Sequence, residues 1–221
     1  MTDPRMGRPL LLGHRGARAV KSFPENTIAS FDRALADGCD GFEFDVRLTA
    51  DGKAVICHDP QSRGIEVAGA SAQQVPGLPL LQDVLARYED GAFLDIELKV
   101  AGLEEIVADL LRQFPSRRGF VVSSFLPEVL QSLHAEDSAV PLGLICETQA
   151  ELRRWRRLPI EYVIPQHKLA TPGLILELKA AGKKILVWTV NVAADMRRFS
   201  ECGVDGIISD DTGMLCRTLV E

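Results

Sequence analysis

Eight short apolar runs, each followed by a stretch with helical spacing, divide the 221 residues. That alternation predicts α/β architecture, a (β/α)8 barrel of the TIM type. Length agrees. Such barrels usually take about 250 residues and reach down to about 200, so residues 1–221 read as one compact domain. The third observation is charge on alternate positions of two runs, GFEFDVRL and FLDIELK. Alternation places those charges on one face of a strand and the apolar residues on the other. A doubly wound open sheet is the alternative, but no Gly-x-Gly-x-x-Gly turn follows the first run, so nothing signals dinucleotide binding.

The first strand is read over Pro9–Gly13. A loop leads past Pro24 to a helix near Thr27–Asp37, with Ile28, Phe31 and Leu35 at helical spacing and Gly38 as its stop. Asn26 or Thr27 can cap it, and the cap is the favoured role of Asn26. The second strand is Gly41–Leu48. Ala50-Asp51-Gly52-Lys53 has the look of a hairpin turn, so Ala54–Cys57 folds back antiparallel, an appendage to the barrel that carries His58 towards Glu43 and Asp45. The stretch from Gln61 to Pro79 reads as irregular and suits a mobile loop. A helix near Leu81–Tyr88 follows. The remaining strands are expected at Ala92–Leu98, Gly119–Ser123, Pro141–Cys146, Tyr162–Ile164, Lys184–Val190 and Asp205–Ile208. Their helices are expected to end near Phe114, His134, Arg157, Ala181 and Cys202, with a closing helix after the last strand.

Composition narrows the partners. Lys and Arg number 25 against 31 Asp and Glu, for a net charge of −6, and so acidic a chain is a poor candidate for general nucleic-acid binding. The apolar run Leu10–Leu12 is too short for a signal sequence, and no run has the length of a membrane span. The five cysteines are scattered and form no CxxC pair. They read as reduced thiols, and the expected location is cytoplasmic. The expected partner is a small-molecule substrate, without nucleic acid or stable membrane insertion, and the oligomeric state is left open.

Chemistry concentrates between Gly13 and Pro60. Glu43 and Asp45 share a strand face, where two like charges need a cation between them or a proton on one. Mg²⁺ and Ca²⁺ both accept carboxylate oxygens. His14 and His58 each sit where an apolar run gives way to a loop, and a pair of histidines can act as general base and general acid. Asp59 is placed to orient His58. On FLDIELK, Glu97 and Lys99 fall at the C-terminal end of their strand, where barrels of this kind keep their active sites. An ion pair among Asp95, Glu97 and Lys99 is the simpler structural reading. His134 and His167 read as structural, and Lys168 is a minor candidate for phosphate contact.

His14-Arg15-Gly16, Pro24-Glu25-Asn26-Thr27, Glu43-x-Asp45-Val46, Leu48-Thr49, Asp51-Gly52 and His58-Asp59, in that order, resemble the signature of the glycerophosphodiester phosphodiesterase family. Ser123-Ser124-Phe125, Trp188-Thr189-Val190-Asn191 and Gly206-Ile207-Ile208-Ser209-Asp210 extend the likeness through most of the chain. The resemblance implies metal-dependent hydrolysis of a glycerophosphodiester to sn-glycerol 3-phosphate and an alcohol. It implies catalysis by His14 and His58, in either order of base and acid. It assigns Glu43, Asp45 and Glu97 to a divalent cation, Mg²⁺ or Ca²⁺, and Arg15 and Lys99 to the phosphate. Phe125 and Trp188 then line the substrate pocket, and Asn191 has a simpler reading as a helix cap. Likeness to related barrel phospholipases further implies attack by the glycerol 2-hydroxyl through a cyclic phosphate. The Gln61–Pro79 stretch departs from the family pattern, so the resemblance says least about the alcohol released. A lyase or phospholipase acting on lipid headgroups and a non-catalytic binding barrel are the rival readings.

Overall fold

The computed structural model describes residues 7–220. The first six residues, which open the N-terminal stretch judged not to be a signal sequence, lie outside the described residues. Strand β1 is Leu10–His14 and α1 is Ile28–Ala36. Strand β2, Gly41–Leu48, is followed by a short β3, Ala54–Ile56, and a two-stranded hairpin of β4, Gln61–Ser62, and β5, Ile65–Glu66. Helix α2, Leu81–Tyr88, opens a regular alternation: β6 Phe93–Leu98, α3 Glu104–Gln113, β7 Phe120–Ser124, α4 Pro127–Glu136, β8 Leu142–Cys146 and α5 Gln149–Leu152. It closes with β9 Tyr162–Pro165, α6 Pro172–Ala180, β10 Lys184–Val187, α7 Ala193–Glu201, β11 Gly206–Ser209 and α8 Thr212–Leu219.

The sheet runs in the order β1-β11-β10-β9-β8-β7-β6-β2, and β1 also pairs with β2, so the eight parallel strands close into a barrel. Strand β3 pairs antiparallel with β2, Val46 against Ile56 and Leu48 against Ala54, and stands outside the ring. The return strand therefore forms as the turn at Ala50–Lys53 demands. Cys57 N–H donates to the Asp45 carbonyl at 2.9 Å, fixing the chain just before His58.

Burial follows the alternation. Phe42, Phe44 and Val46 of β2 and Leu94, Ile96 and Leu98 of β6 face outward into the layer between barrel and helices. Phe31 of α1 stacks on Phe42, with ring centroids 4.3 Å apart. Removing a fully buried ring of this kind costs about 3–5 kcal/mol. A second, smaller cluster fills the barrel interior with Leu12, Phe93, Val121, Ile145, Tyr162, Ile164, Leu186 and Ile208. The β2–β6 register sets Glu43 beside Asp95 and Asp45 beside Glu97. Four inward carboxylates thus share one wall of the barrel.

Three local expectations need correction. Thr27, not Asn26, caps α1, accepting from Ser30 N–H at 3.2 Å. Asn26 sits at φ +59°, a left-handed conformation that asparagine tolerates better than most residues, and its side chain turns inward instead. The stretch before α5 and after it does not make one helix. A single α turn gives way to a 3₁₀ segment over Arg153–Arg157, which buries Trp155. The irregular Gln61–Pro79 stretch holds the β4–β5 hairpin and a 3₁₀ turn at Ala72–Gln74, and it is pinned by Val67 packed with Val55 and Cys57.

Candidate active site

The eight barrel strands β1, β2 and β6 to β11, together with the chain after β3, surround a cavity of about 310 Å³ bordered by His14, Arg15, Glu43, His58, Glu97, Lys99, Phe125 and Trp188. The chain reverses sharply after β1. Arg15 takes φ +53° and Gly16 φ +83°, and a Cβ on Gly16 would collide with Ser30. A glycine there lets the loop lie against α1. His14 and Arg15 thereby face the cavity.

His14 is oriented from the far end of the chain. Its Nδ1–H donates to Asp210 Oδ1 at 2.7 Å, a contact that exists because β11 closes the barrel against β1. Burial opposes charge on Asp210. The His14 contact, the Asn191 hydrogen bond and the Arg18 charge outweigh it and hold that carboxyl well below the usual range. An ionised Asp210 can only accept, so the neutral His14 ring carries its proton on Nδ1 and leaves a lone pair on Nε2. That nitrogen lies 3.8 Å from Glu43 Oε2. Asn191 is not the helix cap it was expected to be. Val192 precedes α7, while Asn191 Nδ2 donates to Asp210 Oδ2 at 2.6 Å and Asn191 Oδ1 accepts from Asp210 N–H.

Glu43, Asp45 and Glu97 form the second feature. One oxygen from each lies within 4.8 Å of the others, and all three side chains are buried. Asn26 grips Asp45 twice, donating from Nδ2 to Oδ2 at 2.7 Å and accepting from its N–H at 3.3 Å. Arg15 N–H donates to Glu43 Oε2 at 3.0 Å, and Arg15 Nε lies 3.2 Å from Asp45 Oδ2. Lys99 Nζ donates to Glu97 Oε1 at 2.6 Å and stands 3.3 Å from Asp45 Oδ1.

Electrostatics show what this wall lacks. Burial, then the neighbouring Asp45 and Glu97, push Glu43 well above the usual carboxylate range. Burial and Asp45 push Glu97 up to about 8. Asp45 goes the other way: burial opposes ionisation, but Lys99, Arg15 and the Asn26 hydrogen bond outweigh it. Glu43 Oε1 and Asp45 Oδ1 are buried with no hydrogen-bond partner. Hard oxygens, convergent and partly unsatisfied, fit a hard divalent cation. Arg15 Nε is likewise buried without a hydrogen bond, a donor available to an anionic oxygen.

Asp95 plays a different part from the ion pair suggested by its spacing. Lys99 reaches Glu97 and Asp45 instead. Asp95 accepts from Ser123 Oγ at 2.6 Å, and burial pushes its carboxyl up to about 7.

His58 enters on the chain that follows β3, the neighbour of β2. Its Nδ1 lies 2.8 Å from Asp59 Oδ1, so the sequence neighbour does orient it. Arg47 donates to the His58 carbonyl from Nε and Nη2, at 2.9 and 2.7 Å, and clamps the backbone there. Phe125 and Trp188 meet edge to face at 5.7 Å, and Trp188 Nε1–H donates to the Ile164 carbonyl at 2.9 Å. Lys168 is exposed, and neither it nor His134 or His167 borders the cavity. Asp210 and the inward role of Asn26 were missed. Asp210 ends the last strand directly after Ser209, and ring closure was the one signal that could have paired it with the first strand.

Comparison with known proteins agrees with this layout. The model of the Glycerophosphoryl diester phosphodiesterase family matches residues 14–87 and 66–214. A glycerophosphodiester phosphodiesterase of Caldanaerobacter subterraneus is 29% identical over 92% of this chain and 95% of its own. The structure of an Oleispira antarctica phosphodiesterase in complex with the product sn-glycerol-3-phosphate superposes with a TM-score of 0.83 at 25% identity, over 97% of this chain and 98% of that one. A glycerophosphodiester phosphodiesterase from Agrobacterium tumefaciens shares the fold, with a TM-score of 0.82 at 24% identity over 95% and 98% of the two chains. The chain belongs to the glycerophosphoryl diester phosphodiesterase family, and with it to the phosphodiester hydrolases.

Proposed function

We propose that this barrel hydrolyses glycerophosphodiesters to sn-glycerol 3-phosphate and an alcohol. The observation that carries the reading is that His14 and His58 border one cavity together with Glu43, Glu97, Arg15 and Lys99. Glu43, Asp45 and Glu97 would hold Mg²⁺ or Ca²⁺, which when bound neutralises charge developing on the phosphate oxygens. Arg15 and Lys99 clamp the same phosphate with charge-assisted hydrogen bonds.

His14 acts as the base. Its Nε2 lone pair, fixed by Asp210 at the other nitrogen, takes the proton from the glycerol 2-hydroxyl as that oxygen bonds to phosphorus. The bond from phosphorus to the leaving alcohol breaks, and His58 supplies the proton that alcohol needs. The product is a five-membered cyclic phosphate. In the second half-reaction water attacks phosphorus, the bond to the 2-oxygen breaks, and the histidines exchange roles. The aromatic edge formed by Phe125 and Trp188 excludes water from one side of the reacting phosphate.

Release of glycerol 3-phosphate from glycerophosphocholine tests the reading directly. Turnover is expected with Mg²⁺ or Ca²⁺, to vanish in EDTA and to return on adding the ion. Undiminished turnover after verified metal removal would remove the cation from the scheme.

A further inference from the structure

One carboxylate on the cavity wall has no place in that chemistry. Glu147 directly follows the last residue of β8 and borders the cavity across the barrel from β2. The other acids there, Glu43, Asp95 and Glu97, are buried within the acidic wall. Glu147 is exposed, and among the described residues it forms no ion pair. Its side chain is nevertheless held, because Gln166 Nε2–H donates to Glu147 Oε1 at 3.0 Å. Gln166 is itself fixed beside Trp188 by a parallel bridge, so three strand ends are locked together.

Apolar side chains make up much of the rest of the lining. Phe125, Ile145, Ile164, Trp188 and Ile208 border the same cavity. The Trp188 indole is held by its hydrogen bond to the Ile164 carbonyl. Lys99, which borders the same cavity, pairs with Glu97 and Asp45. A fixed carboxylate over an aromatic and aliphatic wall suits an organic cation that carries methyl or methylene groups around its charge. Such a cation gains ring attraction and Coulomb attraction and demands few directed hydrogen bonds.

We propose that Glu147 selects diesters whose leaving alcohol is cationic, an amino or quaternary-ammonium alcohol, with Trp188 as the apolar partner of that group. The inference rests on the diesterase reading given above. A neutral polyol in the same position would gain no charge attraction from Glu147 and no ring attraction from Trp188.

The test compares glycerophosphocholine with glycerophosphoglycerol, whose leaving alcohol is neutral, using the metal-loaded full-length enzyme and Glu147→Gln. The wild-type protein is expected to favour the choline diester. In Glu147→Gln the ratio of the two kcat/KM values is expected to fall by about fivefold, carried by KM for the choline diester. Glu147→Lys is expected to lower the ratio further. An unchanged ratio in both variants, or equal losses on both substrates, overturns the selector role and leaves the diesterase reading intact. Failure of the wild-type protein to hydrolyse either diester overturns both.

Discussion

The two histidines offer the same side chain in opposite settings. His14 is sunk at the end of β1 with its side chain 10% exposed, and its partner Asp210 comes from the far end of the chain. His58 rides on the return from β3 with its side chain 35% exposed, and its partner is the next residue, Asp59. Asp210 is itself braced by Arg18 and Asn191, whereas Asp59 is mostly in solvent. A base must hold a lone pair at one point, which a braced carboxylate on the other ring nitrogen achieves. The acid must reach the departing alcohol and then take its proton back from the attacking water, and a position open to solvent favours both. On the proposed mechanism, burial and bracing would separate the roles where residue type cannot.

Removing either side of this arrangement should hurt in proportion to that bracing. His14→Ala and Glu43→Gln are expected to lose the most, on the order of 10²–10⁴-fold in kcat on any diester, in steady-state assays at saturating metal. Asp210→Asn leaves His14 in place but removes the charge that fixes its tautomer. Its kcat should fall on the order of 10²-fold, with KM little changed.

The acidic wall has its own pH signature. Glu97, raised to about 8, must lose its proton to serve a cation. Below that pH the proton competes, and Glu43 is raised as well, so apparent metal affinity should climb with pH, by at most about tenfold per unit for each proton released. Calorimetric titration in buffers of different ionisation heats checks this through the protons released. Binding of Mg²⁺ or Ca²⁺ independent of pH between 6 and 9, roughly the span around that value, would contradict it. Smallest of all should be Asp59→Asn, about two- to fivefold in kcat, since an exposed partner is worth little. A loss as large as that of Asp210→Asn would erase the distinction between the two histidines.

How much of this was legible follows from range. The alternation on β2 placed Glu43 and Asp45 on one face because a strand fixes side-chain faces locally; Glu97 joined them only through the family resemblance, since nothing local pairs β6 with β2. The return of β3 was readable from the Ala50–Lys53 turn, and with it the approach of His58. Asp210 was not, because its pairing with His14 spans 196 residues and depends on β11 closing against β1. Asn26 and Thr27 are both good caps, so local chemistry could not choose between them. The choice was made by Asp45, a buried carboxylate that needed a donor. Asn191 was misread for the same reason: a residue that suits a cap also suits a buried polar network.

The most direct measurement sets His58→Ala against His14→Ala on two substrates, glycerophosphocholine and a glycerol phosphodiester with a nitrophenyl leaving group. A nitrophenolate departs without a proton, so it bypasses a general acid but not a base. The account predicts that His58→Ala loses on the order of 10²–10⁴-fold on glycerophosphocholine and far less on the nitrophenyl diester, while His14→Ala loses similarly on both. Equal ratios for the two variants, or rescue of His14→Ala by the nitrophenyl leaving group, would contradict it.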